Sequence, residues 1–140
     1  MFLIKDALAM IRAIRAQGSG IGTWGFVLNI PQIVGGLLFL PRVEALVILV
    51  FELIALAVAG QIHKRTPFSR LTGICHLPWL LMLPWLVWRL LTLDHGAVYA
   101  TWLWFVCATV AISLVFDAMD VVRWLRGDRV FSWAKQDGEE

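Results

Sequence analysis

Charged side chains are scarce in this sequence. Asp, Glu, Lys and Arg make up 16% of its 140 residues, whereas hydrophobic residues make up 60%. Soluble domains carry about 25% charged and about 45–50% apolar residues. A soluble domain of this length could not bury so much apolar surface, so the composition indicates a membrane protein. The net charge of +2 is too small to suggest a nucleic-acid partner.

Cysteine is scarce too, and the motifs of common enzyme classes are missing. Cys75 and Cys107 lie in apolar runs at different predicted depths, which predicts buried, reduced thiols and no disulfide. P-loop, zinc-finger, HExxH and GxSxG patterns do not occur. Residues 20–25 match GxGxxG, but a dinucleotide site requires a strand before that pattern. Here an amphipathic segment precedes it, and we interpret residues 18–22 as a flexible joint.

Four long apolar segments are present instead. A membrane-spanning helix needs about 20 mostly apolar residues. Four segments meet this requirement, and we predict spans over residues 22–40, 43–62, 71–93 and 98–122. Short links between neighbouring helices favour antiparallel packing. The sequence therefore predicts an all-α fold, a four-span antiparallel transmembrane helix bundle that forms a single membrane domain over residues 1–140.

Both ends of the chain are predicted to lie at the membrane surface. Over residues 1–17, helical spacing separates Lys5, Arg12 and Arg15 from the apolar side chains. An amphipathic helix of this kind lies in the headgroup layer. Residues 123–140 give a second basic and aromatic segment with an acidic tail. We therefore expect interfacial amphipathic helices at both termini.

The basic residues predict how the bundle is oriented. If both termini are cytoplasmic, ten of the twelve Lys and Arg residues lie on the cytoplasmic side, as the positive-inside rule requires. Those ten are Lys5, Arg12, Arg15, Lys64, Arg65, Arg70, Arg123, Arg126, Arg129 and Lys135. We accordingly predict an integral membrane protein of a bacterial inner membrane with cytoplasmic termini.

Polar side chains at membrane depth are costly, so each one is a candidate functional residue. Glu52 lies about halfway along the second predicted span, where a low dielectric disfavours its charged form. It could carry a proton or bind a cation. Asn29 and Gln32 of the first span lie at a similar depth and flank Pro31. They could form a polar pocket with Glu52, or all three could serve only to hold helices together.

The third span contains CHLPWLLMLPWLVWRL, which places a histidine among prolines and tryptophans. Thr72 and Gly73 favour helix weakly, so Pro78 could mark the true helical start and leave His76 on a less regular turn. Asp117 lies at a similar depth and could pair with His76. The tryptophans of this span could line a cavity, but packing and anchoring at the membrane surface are the favoured interpretation. Arg89 could lie on Trp85 or pair with Glu44 or Asp94.

These residues support several functions. We favour binding or transport of a small hydrophobic or cationic molecule. The candidate ligand-binding residues are Glu52, Asn29, Gln32, His76, Trp79, Trp85 and Asp117. An accessory subunit of a larger membrane complex is the main alternative. In addition to the lipid bilayer, we expect the chain to contact either copies of itself or a larger membrane-protein partner.

A redox subunit is the third possibility. His63 and His76 are both predicted on the cytoplasmic side and could ligate a haem if the intervening loop folds back. A quinone-binding subunit belongs to the same class, and the sequence identifies no cofactor. His76, Asp117 and Asp120 could act as acids or bases, but no nucleophile with a neighbouring base can be recognised. Enzyme activity is therefore the less favoured interpretation.

Overall fold

A computed structural model describes residues 2–16 and 20–134, and within them the fold is helical. The helices are α1 (Phe2–Ala16), α2 (Gly20–Leu38), α3 (Val43–Arg65), a 3-10 helix (Arg70–His76), α4 (Trp79–Thr92), α5 (Ala97–Leu125) and a short 3-10 turn (Ser132–Ala134). The all-α prediction is confirmed. Part of the predicted joint at residues 18–22, the basic residue Lys135 and the acidic tail lie outside the described residues.

Two helices, α3 and α5, are long and apolar enough to cross a membrane. The 3-10 helix and α4 together form a third candidate span, bent by 42° where they meet. Helix α2 has 19 residues and contains Pro31. Membrane localisation agrees with this pattern, because these helices expose many large apolar side chains such as Leu53, Leu81 and Val115.

The third predicted span, 71–93, consists of two helices that together remain a candidate span. Its first part is the 3-10 helix, which begins at Arg70 and is capped by Ser69. The Ser69 hydroxyl oxygen accepts a hydrogen bond from the backbone N–H of Leu71 at 3.2 Å. The α-helix starts at Trp79, directly after Pro78. Pro78 has no N–H to donate to a preceding turn, which favours a helix start at this point. The expectation that His76 lies on a less regular turn is therefore confirmed.

The core lies between α3, α4 and α5. Ile48, Met82, Leu86, Leu103 and Val106 are almost completely buried there. Leu103 and Val106 lie on one face of α5, and Val110 continues that face one turn later. Cys75 and Cys107 are buried free thiols, as predicted.

Helix α1 packs directly on the end of α3. Its buried residues are Ala7 and Met10. A Cβ atom added at Gly60 would lie 2.8 Å from the backbone nitrogen of Ala7, so glycine is what allows the two helices to approach so closely. Asp6 accepts a hydrogen bond from Gln61 at 2.8 Å and pairs with Lys64 at 3.1 Å. One face of the predicted interfacial helix is therefore covered by protein.

The C-terminal segment does not form an amphipathic helix within the described residues, so that prediction is wrong. Helix α5 continues to Leu125, and Gly127 then turns the chain with a φ of +95°. The segment that follows pairs with the loop before the 3-10 helix, where Ser69 and Val130 form an isolated β-bridge. Phe131 donates its backbone N–H to the carbonyl of Phe68 at 3.1 Å. Backbone pairing with this loop takes the place of a helix here.

Charged side chains also join the opposite end of the bundle, which we call the Glu44 end. The Arg89 guanidinium binds the nearly buried Glu44 carboxylate at 2.6 Å, and Tyr99 donates its hydroxyl to the same carboxylate at 3.2 Å. Arg42 lies 4.4 Å above the Tyr99 ring. The Glu44 pairing proposed for Arg89 is confirmed, and its guanidinium also lies 5.8 Å from the Trp85 ring. These contacts connect α3, α4 and α5.

Substituting Gly60→Ala should destabilise the protein. The added methyl would overlap the α1 backbone, and overpacking of this kind costs about 1–3 kcal/mol. Without that overlap, the higher helix propensity of Ala would stabilise α3. Gly20→Ala is the matched control, because its Cβ would meet nothing within 4 Å. Unfolding in mixed detergent micelles measures both free energies, and equal values would contradict the close packing of α1 on α3.

The contribution of Asp6 should depend on pH. The hydrogen bond from Gln61 and the ammonium of Lys64 lower the pKa of Asp6 below its ordinary value. A lowered pKa stabilises the folded state above the ordinary carboxyl pKa, and this contribution is lost as pH falls through the lowered value. Asp6→Asn should therefore be less stable than the wild type at neutral pH. The difference should shrink as pH falls below the ordinary carboxyl pKa of about 4 in thermal unfolding. A difference that stayed constant over this range would show that the Asp6 charge is not responsible.

Candidate functional site

A histidine–aspartate pair lies where the 3-10 helix packs on α5. His76 Nδ1 lies 2.7 Å from Asp117 Oδ2, and both side chains are mostly buried. The imidazole stacks on the Trp79 indole with ring centroids 4.0 Å apart. If Asp117 accepts a hydrogen bond from Nδ1, the Nε2 atom of a neutral ring is left as an acceptor. The predicted His76–Asp117 pair is therefore confirmed as a contact.

Gly73 makes this pair possible. A Cβ atom added at Gly73 would lie 2.9 Å from Asp117 Oδ1 and 3.2 Å from its Cα. Only glycine therefore lets the 3-10 helix approach α5 at the level of Asp117. Gly73, which favours helix weakly, is therefore also a point of close packing between the 3-10 helix and α5.

Arg70 forms a second polar cluster at the same end of the molecule, which we call the Arg70 end. Its guanidinium contacts Asp120 Oδ1 at 2.7 Å and Asp128 Oδ2 at 3.0 Å, and its side chain is only 5% exposed. It also lies 5.0 Å from the Phe131 ring. Arg70 therefore joins the start of the 3-10 helix to the end of α5 and to the segment beyond it.

Two cavities open beside these clusters. The smaller has a volume of about 150 Å³ and is lined by His63, His76, Asp117 and Asp120 among others. The larger has a volume of about 670 Å³ and lies between α1, α2, α5 and the 3-10 helix. His76 and Asp117 line both cavities. The pair therefore contributes polar groups to the walls of two cavities that are otherwise largely apolar.

The shape of the larger cavity follows from how α2 meets α5. Trp102 of α5 donates its indole N–H to the carbonyl of Pro31 at 3.0 Å, and its ring fills the space beside Gly35. This holds α2 against α5 toward the Glu44 end. Toward the Arg70 end, Trp24 and Phe116 meet edge to face with ring centroids 6.3 Å apart and line the cavity.

The structure brings together three of the seven predicted ligand-binding residues. Asn29, His76 and Asp117 all line the larger cavity. The amide of Asn29 donates to the carbonyl of Gly25 at 2.6 Å, so part of its hydrogen-bonding capacity is used within α2.

The other four predicted residues line neither cavity. Gln32, Glu52 and Trp79 are completely buried, and Trp85 lies beneath Arg89 toward the Glu44 end. Gln32 donates to the carbonyl of Leu28 at 3.2 Å. Among the described residues no hydrogen-bond partner is found for either carboxyl oxygen of Glu52. The predicted contacts of Glu52 with Asn29 or Gln32 are therefore not formed.

His63 and His76 lie on the same small cavity, as the haem hypothesis requires. His63 Nδ1 accepts the backbone N–H of Phe68 at 3.4 Å, which places the ring proton of its neutral form on Nε2. Within the described part of the chain, no group of three or more His, Cys, Asp or Glu side chains could hold a metal ion. Haem binding by these two histidines stays a prediction.

Sequence reasoning missed the role of Arg70, which it placed only among the cytoplasmic charges. Its sole signal was an arginine at the start of an apolar span, followed 50 residues later by Asp120. The contribution of Met10 and Ile14 to both cavity walls was missed as well. That contribution depends on α1 folding back onto α3, which no local pattern indicates. No known family model, curated protein or solved structure matches this chain.

Removing the Arg70 guanidinium should destabilise this end of the protein. Arg70→Gln leaves Asp120 and Asp128 without their shared cation, and breaking a buried ion pair costs about 3–5 kcal/mol. We expect the free energy of unfolding to fall by about 3 kcal/mol or less. The loss is at the lower limit because Asp128 is 42% exposed and water partly compensates for the missing cation. Arg65→Gln is the control, since Arg65 is exposed and should change stability by less than about 0.5 kcal/mol. Equal unfolding free energies for the two variants would rule out this role of Arg70.

Proposed function

We propose that this protein binds a small hydrophobic or cationic molecule in the cavity between α1, α2, α5 and the 3-10 helix. The observation that carries the proposal is a largely apolar cavity of about 670 Å³ with the His76–Asp117 pair in its wall. Small-molecule sites typically have volumes of about 300–1,000 Å³ and apolar walls with a few polar groups that orient the ligand. The cavity has both properties.

Asp117 gives a reason for a cationic head group. When the His76 ring is neutral, it donates a hydrogen bond to Asp117 but leaves the negative charge of the carboxylate uncompensated. Asp120, by contrast, already pairs with Arg70. Arg15 and Arg123 also line the cavity, so a cation would have to bind beside Asp117, where it would find its counter-charge. Trp24 and Phe116 offer aromatic surface on the same cavity, which attracts both cations and apolar groups.

The membrane arrangement belongs to the same proposal. We place α2 as a fourth span beside α3, α5 and the bent pair, in a bacterial inner membrane with both termini cytoplasmic. The concentration of basic residues at the Arg70 end supports this orientation, because Lys and Arg accumulate on the cytoplasmic side. The cavity would then open near the cytoplasmic surface, with its apolar walls at the depth of the lipid tails.

Binding of tetraphenylphosphonium, an apolar monovalent cation, tests the function. Purified protein in mild detergent should bind it saturably, with a change in tryptophan fluorescence because Trp24 lines the cavity. Asp117→Asn should weaken binding at least tenfold, which corresponds to about 1.4 kcal/mol. Trp85→Phe, which alters an aromatic residue toward the Glu44 end, should leave the affinity unchanged.

Two results would contradict the proposal. The first is the absence of saturable binding by the wild type. The second is equal affinity in the wild type and in Asp117→Asn, which would mean that the probe binds elsewhere. Circular dichroism of each variant shows whether a loss of affinity reflects a loss of folded protein.

A further inference from the structure

Three buried polar side chains in the bundle interior play no part in the proposed cavity. Gln32 of α2, Glu52 of α3 and Trp79 of α4 each have no exposed surface. Five buried side-chain atoms in the described residues lack a hydrogen-bond partner, and four of them belong to these residues: Gln32 Oε1, both Glu52 oxygens and Trp79 Nε1. Buried polar atoms are nearly always hydrogen-bonded, so this concentration requires an explanation.

The three side chains lie at one level of the bundle. A Cβ added at Gly36 of α2 would lie 3.0 Å from Leu49 Cβ of α3. In the antiparallel pair, Gln32 lies one turn beyond Gly36 and Glu52 lies one turn beyond Leu49, which brings them to the same height. The Glu44–Arg89 pair aligns α3 with α4. At about 1.5 Å per residue, Glu52 lies about 12 Å from that pair along α3, and Trp79 lies about 15 Å from it along α4. Glu52 and Trp79 are therefore at similar heights in the bundle.

The surrounding charges do not neutralise a Glu52 carboxylate. Arg89 binds Glu44, and Arg70 binds Asp120 and Asp128. Among the described residues, the Cys75 thiol of the 3-10 helix interacts electrostatically with Glu52 and also with Asp117 of α5. A buried carboxylate without a cation is too costly to persist, so the group takes up a proton instead. A neutral Glu52 can donate its O–H to one acceptor, and it still needs partners for its remaining oxygen.

Water can supply the missing hydrogen-bond partners of Gln32, Glu52 and Trp79 better than a metal cation can. A water molecule can accept the Trp79 N–H and donate to oxygens of Glu52 and Gln32, which satisfies groups of both kinds. Hard cations take about six oxygen ligands. Three side-chain oxygens and an N–H donor do not provide such a shell. The mixture of one donor with several acceptors therefore favours water together with a proton.

We propose that Gln32, Glu52 and Trp79 form an interior site that binds ordered water and one exchangeable proton on Glu52. This site is separate from the ligand cavity, because none of its three side chains lines that cavity. It would give the bundle a proton-binding group at mid-depth, and this conclusion does not depend on the molecule that the cavity binds.

Infrared spectroscopy tests the site. Wild-type protein in lipid vesicles at neutral pH should show the carbonyl stretching band of a protonated carboxylic acid. Glu52→Gln should remove this band, whereas Glu44→Gln should keep it, because Glu44 is ionised in its pair with Arg89. Gln32→Leu and Trp79→Phe should each shift the band, since each removes a partner of the Glu52–water network. If Glu52→Gln does not fold, Glu52→Asp should shift the band.

Each outcome decides the proposal. If the wild type lacks the band, or if the band is unchanged in the Glu52 variants, Glu52 is not the protonated group. If Glu52→Gln removes the band but Gln32→Leu and Trp79→Phe leave it unshifted, the three residues do not share a site. Tetraphenylphosphonium binding should be the same in Glu52→Gln and in the wild type, so failure of this proposal is distinguishable from failure of the cavity proposal.

Discussion

The ion pairs at the two ends of the bundle determine how the rest of the structure is arranged. At one end Glu44 and Arg89 connect α3 to α4, and at the other Arg70 connects the 3-10 helix to Asp120 of α5. A buried charge is tolerated only when it is paired and hydrogen-bonded. Because these pairs lie at the ends, the middle of the bundle can be filled almost entirely by apolar side chains from α3, α4 and α5.

Glycines at points of close approach shape the Arg70 end of the bundle. Gly73 brings the 3-10 helix against Asp117, and Gly60 brings α1 against α3. Both contacts lie at the Arg70 end, where they position His76 and the walls of the two cavities. The positions of Gly60 and Gly73 thus determine where polar side chains of neighbouring helices come into contact. In apolar surroundings, helices associate largely through such close packing.

Sequence patterns predicted the features that depend on local chemistry. Apolar runs located α3 and α5, Pro78 indicated the helix start at Trp79, and similar depth suggested the His76–Asp117 and Arg89–Glu44 contacts. The features that were missed depend on long-range packing. Neither the return of α1 onto α3 nor the double pairing of Arg70 leaves a periodic signal. The C-terminal segment looked amphipathic, but its backbone instead pairs with the loop at Ser69.

Glu52 shows most clearly where depth alone misleads. Its predicted depth in the membrane correctly placed Glu52 at the height of Gln32. Predicted depth does not reveal, however, whether a side chain faces a cavity that could hold a ligand. Completely buried, Glu52 lines neither cavity, whereas Asp117 near the end of α5 lines both. A ligand in the cavity therefore has no direct access to Glu52. Cys75 lines the ligand cavity and interacts electrostatically with both Asp117 and Glu52, so it is a described residue through which the two proposed sites could influence each other.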